Sequence, residues 1–172
     1  MKNYAGKSRG FYQGLFRITN PHKYIGNKPP IYRSGWEADV CHFFDTNVRV
    51  VKWISEPPMF EIDYPLPDGS THTYHPDFYV EMWDDSKRLR KFLVEVKPMS
   101  QSPRHSSPPK EPRVKKTSTM AQWTKKMRDW MINKFKWDAT EKWLKKYHPD
   151  ITFIVITEKE SKIWGEKSKK NK

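Results

Sequence analysis

The sequence predicts an α/β fold, a mixed sheet flanked by helices in the order α-β-β-β-β-α-β. Three observations carry this. Short β-branched or aromatic runs are separated by Pro, Gly, Asn or Asp breakers. Two longer segments repeat apolar residues at helical spacing. The last run, Ile151 to Thr157, is almost wholly apolar, as expected of a strand buried on both faces. Aromatic residues make up 15 % of the chain within an apolar content of only 35 %, so bulky rings are available to fill a small dense core. At 172 residues the chain fits one domain with tails.

Residues 1–33 read as a basic N-terminal arm. Lys2, Lys7, Arg9, Arg17, Lys23, Lys28 and Arg33 meet no acid before Glu37. Gly and Pro recur among Tyr4, Phe11, Tyr12, Phe16 and Tyr24. This predicts an irregular segment that tracks phosphates, docks its rings on the core, or does both. The core is expected over 34–157. Ser34-Gly-Trp-Glu37 opens a helix with Trp36, Val40, Phe43 and Phe44 on one face, ending near Thr46-Asn47. Ser34-x-x-Glu37 is also a capping box, so Glu37 has a structural reading beside any chemical one. Strands follow at Val48 to Ile54, Phe60 to Tyr64, Thr71 to Glu81 and Lys91 to Lys97, with turns at Pro67-Asp68-Gly69-Ser70 and Asp84-Asp85-Ser86-Lys87. A Pro-rich basic loop spans 98–119, a length that in a small domain points to substrate contact. One long amphipathic helix, or two in sequence, runs from about Thr119 to Tyr147. Its stripe of Trp123, Met127, Met131, Phe135, Ala139, Trp143 and Tyr147 is expected in the core. Residues 158–172 form a lysine-rich C-terminal tail.

Composition narrows the function classes. The lone Cys41 excludes an internal disulfide framework and a multi-cysteine zinc site. No run of 18 apolar residues exists, so no membrane partner is expected. The start of the chain shows no apolar signal region, which predicts a cytoplasmic protein. A net charge of +13 calls for a polyanion, most commonly nucleic acid.

The chemistry-bearing residues lie in Pro76-Asp77 and Glu95-Val96-Lys97. Side chains alternate along a strand, so Glu95 and Lys97 share a face while Phe92, Val94 and Val96 take the other. Pro76 has no N–H to give a ladder and implies a sheet edge or bulge beside Asp77. If the two strands pair, Asp77 and Glu95 converge on one divalent cation, and hard oxygen ligands favour Mg²⁺, with Mn²⁺ as substitute, over zinc. Glu95 and Lys97 also fit an ordinary same-face ion pair. His72 and His75 are spaced like a ligand pair but lack partners, which leaves His75 as a polar residue at the edge of the site.

Pro-Asp followed by Glu-x-Lys at a strand end is similar to the PD-(D/E)xK nuclease signature. A longer run resembles the head-completion nucleases of tailed bacteriophages: Asn20-Pro-His-Lys-Tyr-Ile-Gly26, Ile31-Tyr-Arg-Ser-Gly-Trp-Glu37, Tyr74-His-Pro-Asp-Phe-Tyr-Val80, Val94-Glu-Val-Lys-Pro98 and Asn133-x-x-Lys136-Trp-x-Ala139. The resemblance covers residues 20–157. It implies a restriction-endonuclease-like fold, Mg²⁺-dependent endo- and exonuclease activity, and phage head completion before head–tail joining. It further implies Asp77 and Glu95 as metal ligands with the Val96 carbonyl as a third. Lys97 would orient or deprotonate the attacking water, and Glu37 would hold a second ion or its water. Asn133 and Lys136 would support the site or contact phosphate. Expected partners are DNA, mainly through its backbone, and phage head or neck proteins. The expected location is the cytoplasm of the infected host, with retention in the virion as a further expectation. The rival reading is a non-catalytic DNA-end-binding or head–neck structural protein, which the basic segments alone would serve.

Overall fold

The computed structural model describes residues 13–113 and 116–160. The expectations for Tyr4, Phe11, Tyr12, Lys2, Lys7 and Arg9 of the arm, for Lys115 of the loop and for the tail from 161 onward lie outside the described residues.

Ser34 starts the first helix, α1 (Gly35–Thr46), with its hydroxyl accepting the Glu37 amide at 3.1 Å. The strands are β1 (Gly14–Leu15), β2 (Ile31–Tyr32), β3 (Val50–Ser55), β4 (Ile62–Pro65), β5 (Thr71–Tyr74), β6 (Phe78–Trp83), β7 (Leu89–Val96) and β8 (Ile151–Ile156), with α2 (Thr117–Tyr147) between the last two. The main sheet has the order β3-β6-β7-β8, antiparallel except for β7 and β8, which run parallel with α2 as the crossover. β1 with β2 and β4 with β5 form two small hairpin sheets apart from it. The mixed sheet and its flanking helices agree with the expected class.

Two differences have clear causes. The expected strand Thr71 to Glu81 is two strands, because Pro76 interrupts it. Pro lacks the ladder donor and restricts the residue before it, so β5 stays with its hairpin and β6 starts afresh in the main sheet. The arm is also less irregular than expected: Gly14 and Leu15 pair with Tyr32 and Ile31. Gly69, at φ +83°, supplies the left-handed turn residue that joins β4 to β5.

The sheet buries both faces. Under α1 lie Val50 and Trp53 of β3, Phe78 and Val80 of β6, Val94 and Val96 of β7 and Ile156 of β8. Val50 and Trp53 share that face although three residues apart, because a bulge between Val50 and Lys52 shifts the register by one. The other face carries Ile54, Tyr79, Leu93, Phe153 and Val155, covered by Ile62, Tyr64 and Tyr74 of the hairpin and by Trp137 and Leu144 of α2. Leu93 and Glu95 therefore do share a face opposite Val94 and Val96.

The buried seam of α2 is Trp130, Asn133, Trp137, Thr140 and Leu144, not the expected stripe. A strict four-residue step advances ~40° around a 3.6-residue helix, so a long run of such steps spirals off any single face. Steps of three and four alternating keep to one side, as these five residues do. Of the expected stripe, Phe135, Ala139 and Trp143 pack at the margin, and Tyr147 is 54 % exposed.

The arm is fastened to α1 through Asp45, which is fully buried. Its carboxylate accepts the Thr19 amide at 2.9 Å, the Asn20 amide at 3.0 Å and the Thr19 hydroxyl. Lys23 Nζ donates to the carbonyls of Asp45 and Asn47 at 3.2 and 2.8 Å, where the helix ends with unpaired acceptors and negative dipole. Removing the Asp45 carboxylate leaves the Thr19 amide and hydroxyl and the Asn20 amide without this partner, while the Lys23 contacts to backbone carbonyls remain. We expect Asp45→Ala to cost on the order of 2–4 kcal/mol in chemical unfolding, and a loss under about 0.5 kcal/mol would show the clasp to be dispensable.

Candidate active site

Asp77 sits in the bend just before β6, one residue outside the ladder. The ladder between β6 and β7 ends at Phe78 opposite Val94, so the next amide on that side of β7, Val96, has no strand to bond. The Asp77 carboxylate takes it: Val96 N–H donates to Oδ2 at 2.7 Å. The Asp77 carbonyl in turn accepts the Glu56 amide at 2.8 Å, which ties in the end of β3. A residue's N–H and C=O leave a strand on the same side, so the Val96 carbonyl also points toward the Asp77 edge.

Glu95 is 1 % exposed near the end of β7. Lys97 Nζ lies 2.7 Å from its Oε1, and the Tyr74 hydroxyl donates to its Oε2 at 2.5 Å. Setting a half-buried carboxyl, Asp77, beside the buried one of Glu95 is costly. Burial first, and then the charge of Glu95, push the Asp77 carboxyl well above its ordinary range, against the opposing pull of Lys97 and the Val96 amide. Burial lowers the Lys97 pKa, but Glu95 and Asp77 outweigh it and hold the ammonium above the usual lysine value. With those carboxylates facing it, Lys97 is held as a cation and a hydrogen-bond donor.

Glu37 reaches the same neighbourhood from the N-terminus of α1. Its Oε1 accepts from the Ser34 hydroxyl at 3.0 Å and its Oε2 from the Arg33 amide at 2.7 Å. The capping box is formed, with the return bond to Arg33 rather than to Ser34. Burial raises the Glu37 pKa, with Lys97 and Glu95 acting on it in opposite senses. Among the described residues no three His, Cys, Asp or Glu side chains are grouped closely enough to hold a metal by themselves. A cation at this place would therefore rest on Asp77, Glu95 and the Val96 carbonyl. One or two carboxylates plus water is an ordinary set for Mg²⁺, so the donors fit.

Of the other expected residues, Lys136 is brought in. Its Nζ lies 5.4 Å from the Tyr74 ring centre and 5.8 Å from that of Tyr64. Burial lowers its pKa, while Glu95 and Lys97 act in opposite directions. Asn133 is buried but turned to the loop, donating to the Gln101 carbonyl at 2.9 Å. His75 is exposed beside Pro76. Tyr74 was given no role by sequence reasoning. It ends a strand whose residues 71–73 are exposed, and a lone buried aromatic there gives no sign that its hydroxyl meets an acid from a distant strand.

The family model for TnsA-like endonuclease N-terminal domains matches residues 47–158. The chain belongs to this family. The match takes in Tyr74, Asp77, Glu95, Val96, Lys97, Asn133 and Lys136, while Glu37 lies upstream of it. The head completion nuclease of Enterobacteria phage T4 is 26 % identical over 148 residues, covering 86 % of this chain and 91 % of that protein. Both findings support a nuclease role, and the fold is restriction-endonuclease-like. No helix among the described residues is long and apolar enough to cross a membrane.

The raised Asp77 pKa has a consequence for stability. An unfolded Asp releases its proton near pH ~4, whereas the folded chain holds it to higher pH. The folded state binds more protons across that window, so its stability falls as pH rises from about 4 through the raised value. In EDTA, Asp77→Asn keeps an oxygen for the Val96 amide and removes the half-buried charge. We expect its Tm to fall less than the parent's between pH 5 and pH 8, and thermal unfolding at both pH values checks this; equal slopes would refute the burial of an uncompensated charge.

Proposed function

We propose that the chain is a Mg²⁺-dependent DNA nuclease that hydrolyses phosphodiester bonds, with both endo- and exonucleolytic cutting, and that it acts in phage head completion before head–tail joining. The Asp77 carboxylate on the Val96 amide, one residue along β7 from Glu95 and its ion pair with Lys97, is the observation that carries the reading. Asp77, Glu95 and the Val96 carbonyl would hold the ion, with Mn²⁺ as a substitute. When bound, Mg²⁺ would supply Lewis acidity to the scissile phosphate and to water. With Glu37, Asp77 and Glu95 all ionised, three carboxylates against the two ammonium groups of Lys97 and Lys136 leave one negative charge over; a divalent ion would reverse that sign and make the site attractive to phosphate.

The chain's own groups divide the remaining work. Glu95 anchors Lys97 so that its N–H donors reach the attacking water and the phosphoryl oxygens, where negative charge grows in the transition state. Glu37 holds the start of α1 and stands near enough to bias the field around Lys97. The excess of basic residues supplies contact with the DNA backbone, which is independent of sequence. The place in head completion, the host cytoplasm as its location and a partner on the phage head or neck extend from the T4 relative.

Linear duplex DNA should be cut with Mg²⁺ and left whole in EDTA. Asp77→Asn, Glu95→Gln and Lys97→Met should each slow cutting by at least about a hundredfold, with DNA binding retained. Cutting by Glu95→Gln at the parental rate would remove the assignment. Salt-sensitive DNA binding without cutting at any Mg²⁺ concentration would favour the non-catalytic end-binding protein instead.

A further inference from the structure

The β4–β5 hairpin shares no strand ladder with the main sheet, yet it contributes a buried hydroxyl to the site. Tyr74, 4 % exposed, donates to Glu95 Oε2, while Lys97 occupies Oε1. With one lone pair on each oxygen engaged, the carboxylate cannot rotate freely, and its other lone pairs have a set direction. The two tyrosines of the hairpin, Tyr64 and Tyr74, also present their rings to the Lys136 ammonium. A cation over two ring faces is held by the ring quadrupoles without surrendering its N–H donors to an acid.

We propose that Tyr74 is a positioning residue: its phenol orients Glu95 for the cation and its ring seats Lys136 toward the incoming phosphate. The proposal rests on the metal-nuclease reading. A two-stranded hairpin is marginal by itself, but this one is packed beneath α2 with Trp137 and Leu144, so it is rigid enough to serve as a template. Outer hydrogen-bond partners of metal ligands carry a share of the affinity, with losses of roughly 10–100-fold on removal.

The test separates the phenol from the ring. Mn²⁺ alone is titrated calorimetrically into the intact parent, Tyr74→Phe and Lys136→Met chains, and cutting of linear duplex is measured for each. Tyr74→Phe keeps the ring, so Mn²⁺ should bind about tenfold more weakly, with kcat reduced and KM for DNA unchanged. Lys136→Met should raise KM severalfold without weakening Mn²⁺, and it leaves the buried phenol in place, so it reads out independently of how Tyr74 variants fold. Mn²⁺ affinity in Tyr74→Phe equal to the parent's would overturn the proposal alone. A parent that binds no Mn²⁺ would overturn the metal reading and this proposal with it.

Discussion

The bond from the Val96 amide to the Asp77 carboxylate replaces a rung that the sheet cannot make. β6 begins only at Phe78, past the bend at Pro76 and Asp77, while β7 runs on to Val96, leaving the Val96 amide at the seam. A buried amide without a partner costs about 1–3 kcal/mol. An acidic side chain is the group within reach that can satisfy it at this distance from the backbone. The same bond that completes the sheet therefore sets a carboxylate beside Glu95. The bonded amide lowers the Asp77 pKa, but burial and the second acid raise it, and the latter win. Structure closes the seam; the leftover charge is what a cation would answer.

The main sheet supplies Asp77, Glu95 and Lys97, and each of its two faces adds something different. From the α1 side comes Glu37, both oxygens engaged in starting a helix. From the α2 side come Tyr74 and Lys136, a donor and a cation held by aromatic rings. Glu95 is compensated on both oxygens, which is why a carboxylate 1 % exposed is tolerable at all. Among the described residues Asp77 accepts one hydrogen bond, from the Val96 amide, and otherwise has the more distant pull of Lys97, so it is the less compensated of the two. That asymmetry makes Asp77 the group whose ionisation most depends on what else binds.

Much of this was legible in the sequence because it depends on local chemistry. Pro76 marked a break, strand alternation put Glu95 and Lys97 on one face, and Ser34 with Glu37 marked the start of α1. What was not legible depends on tertiary pairing. Pro76 separated two sheets rather than bulging one strand, since hairpin residues 71–74 had a nearer partner in β4. The stripe at four-residue spacing on α2 looked like a core face but spirals off it, and the polar Asn133 and Thr140 that do lie in the seam gave no apolar signal. Tyr74 was invisible because its partner is 21 residues away on another sheet.

The loop after Lys97 completes the logic of placement. A flexible exit would let Lys97 swing away from Glu95, but the first residues beyond it are bolted down. The Lys97 amide continues the parallel ladder to Ile156 at 2.9 Å, and the Met99 amide donates to Glu158 at 2.7 Å. Asn133 holds the Gln101 carbonyl, Ser102 is fully buried, and Arg104 donates to the Phe153 carbonyl at 3.1 Å while pairing with Glu141. Beyond this stem, Lys110, Arg113 and Lys116 are exposed cations on the same connection. The Trp123 indole fastens the outer stretch once more, at the Pro109 carbonyl. A rigid stem with basic residues beyond it keeps the ammonium that faces the acids in place while still offering charge to a polyanion, so the long connection and the short Glu-Val-Lys motif act as one device.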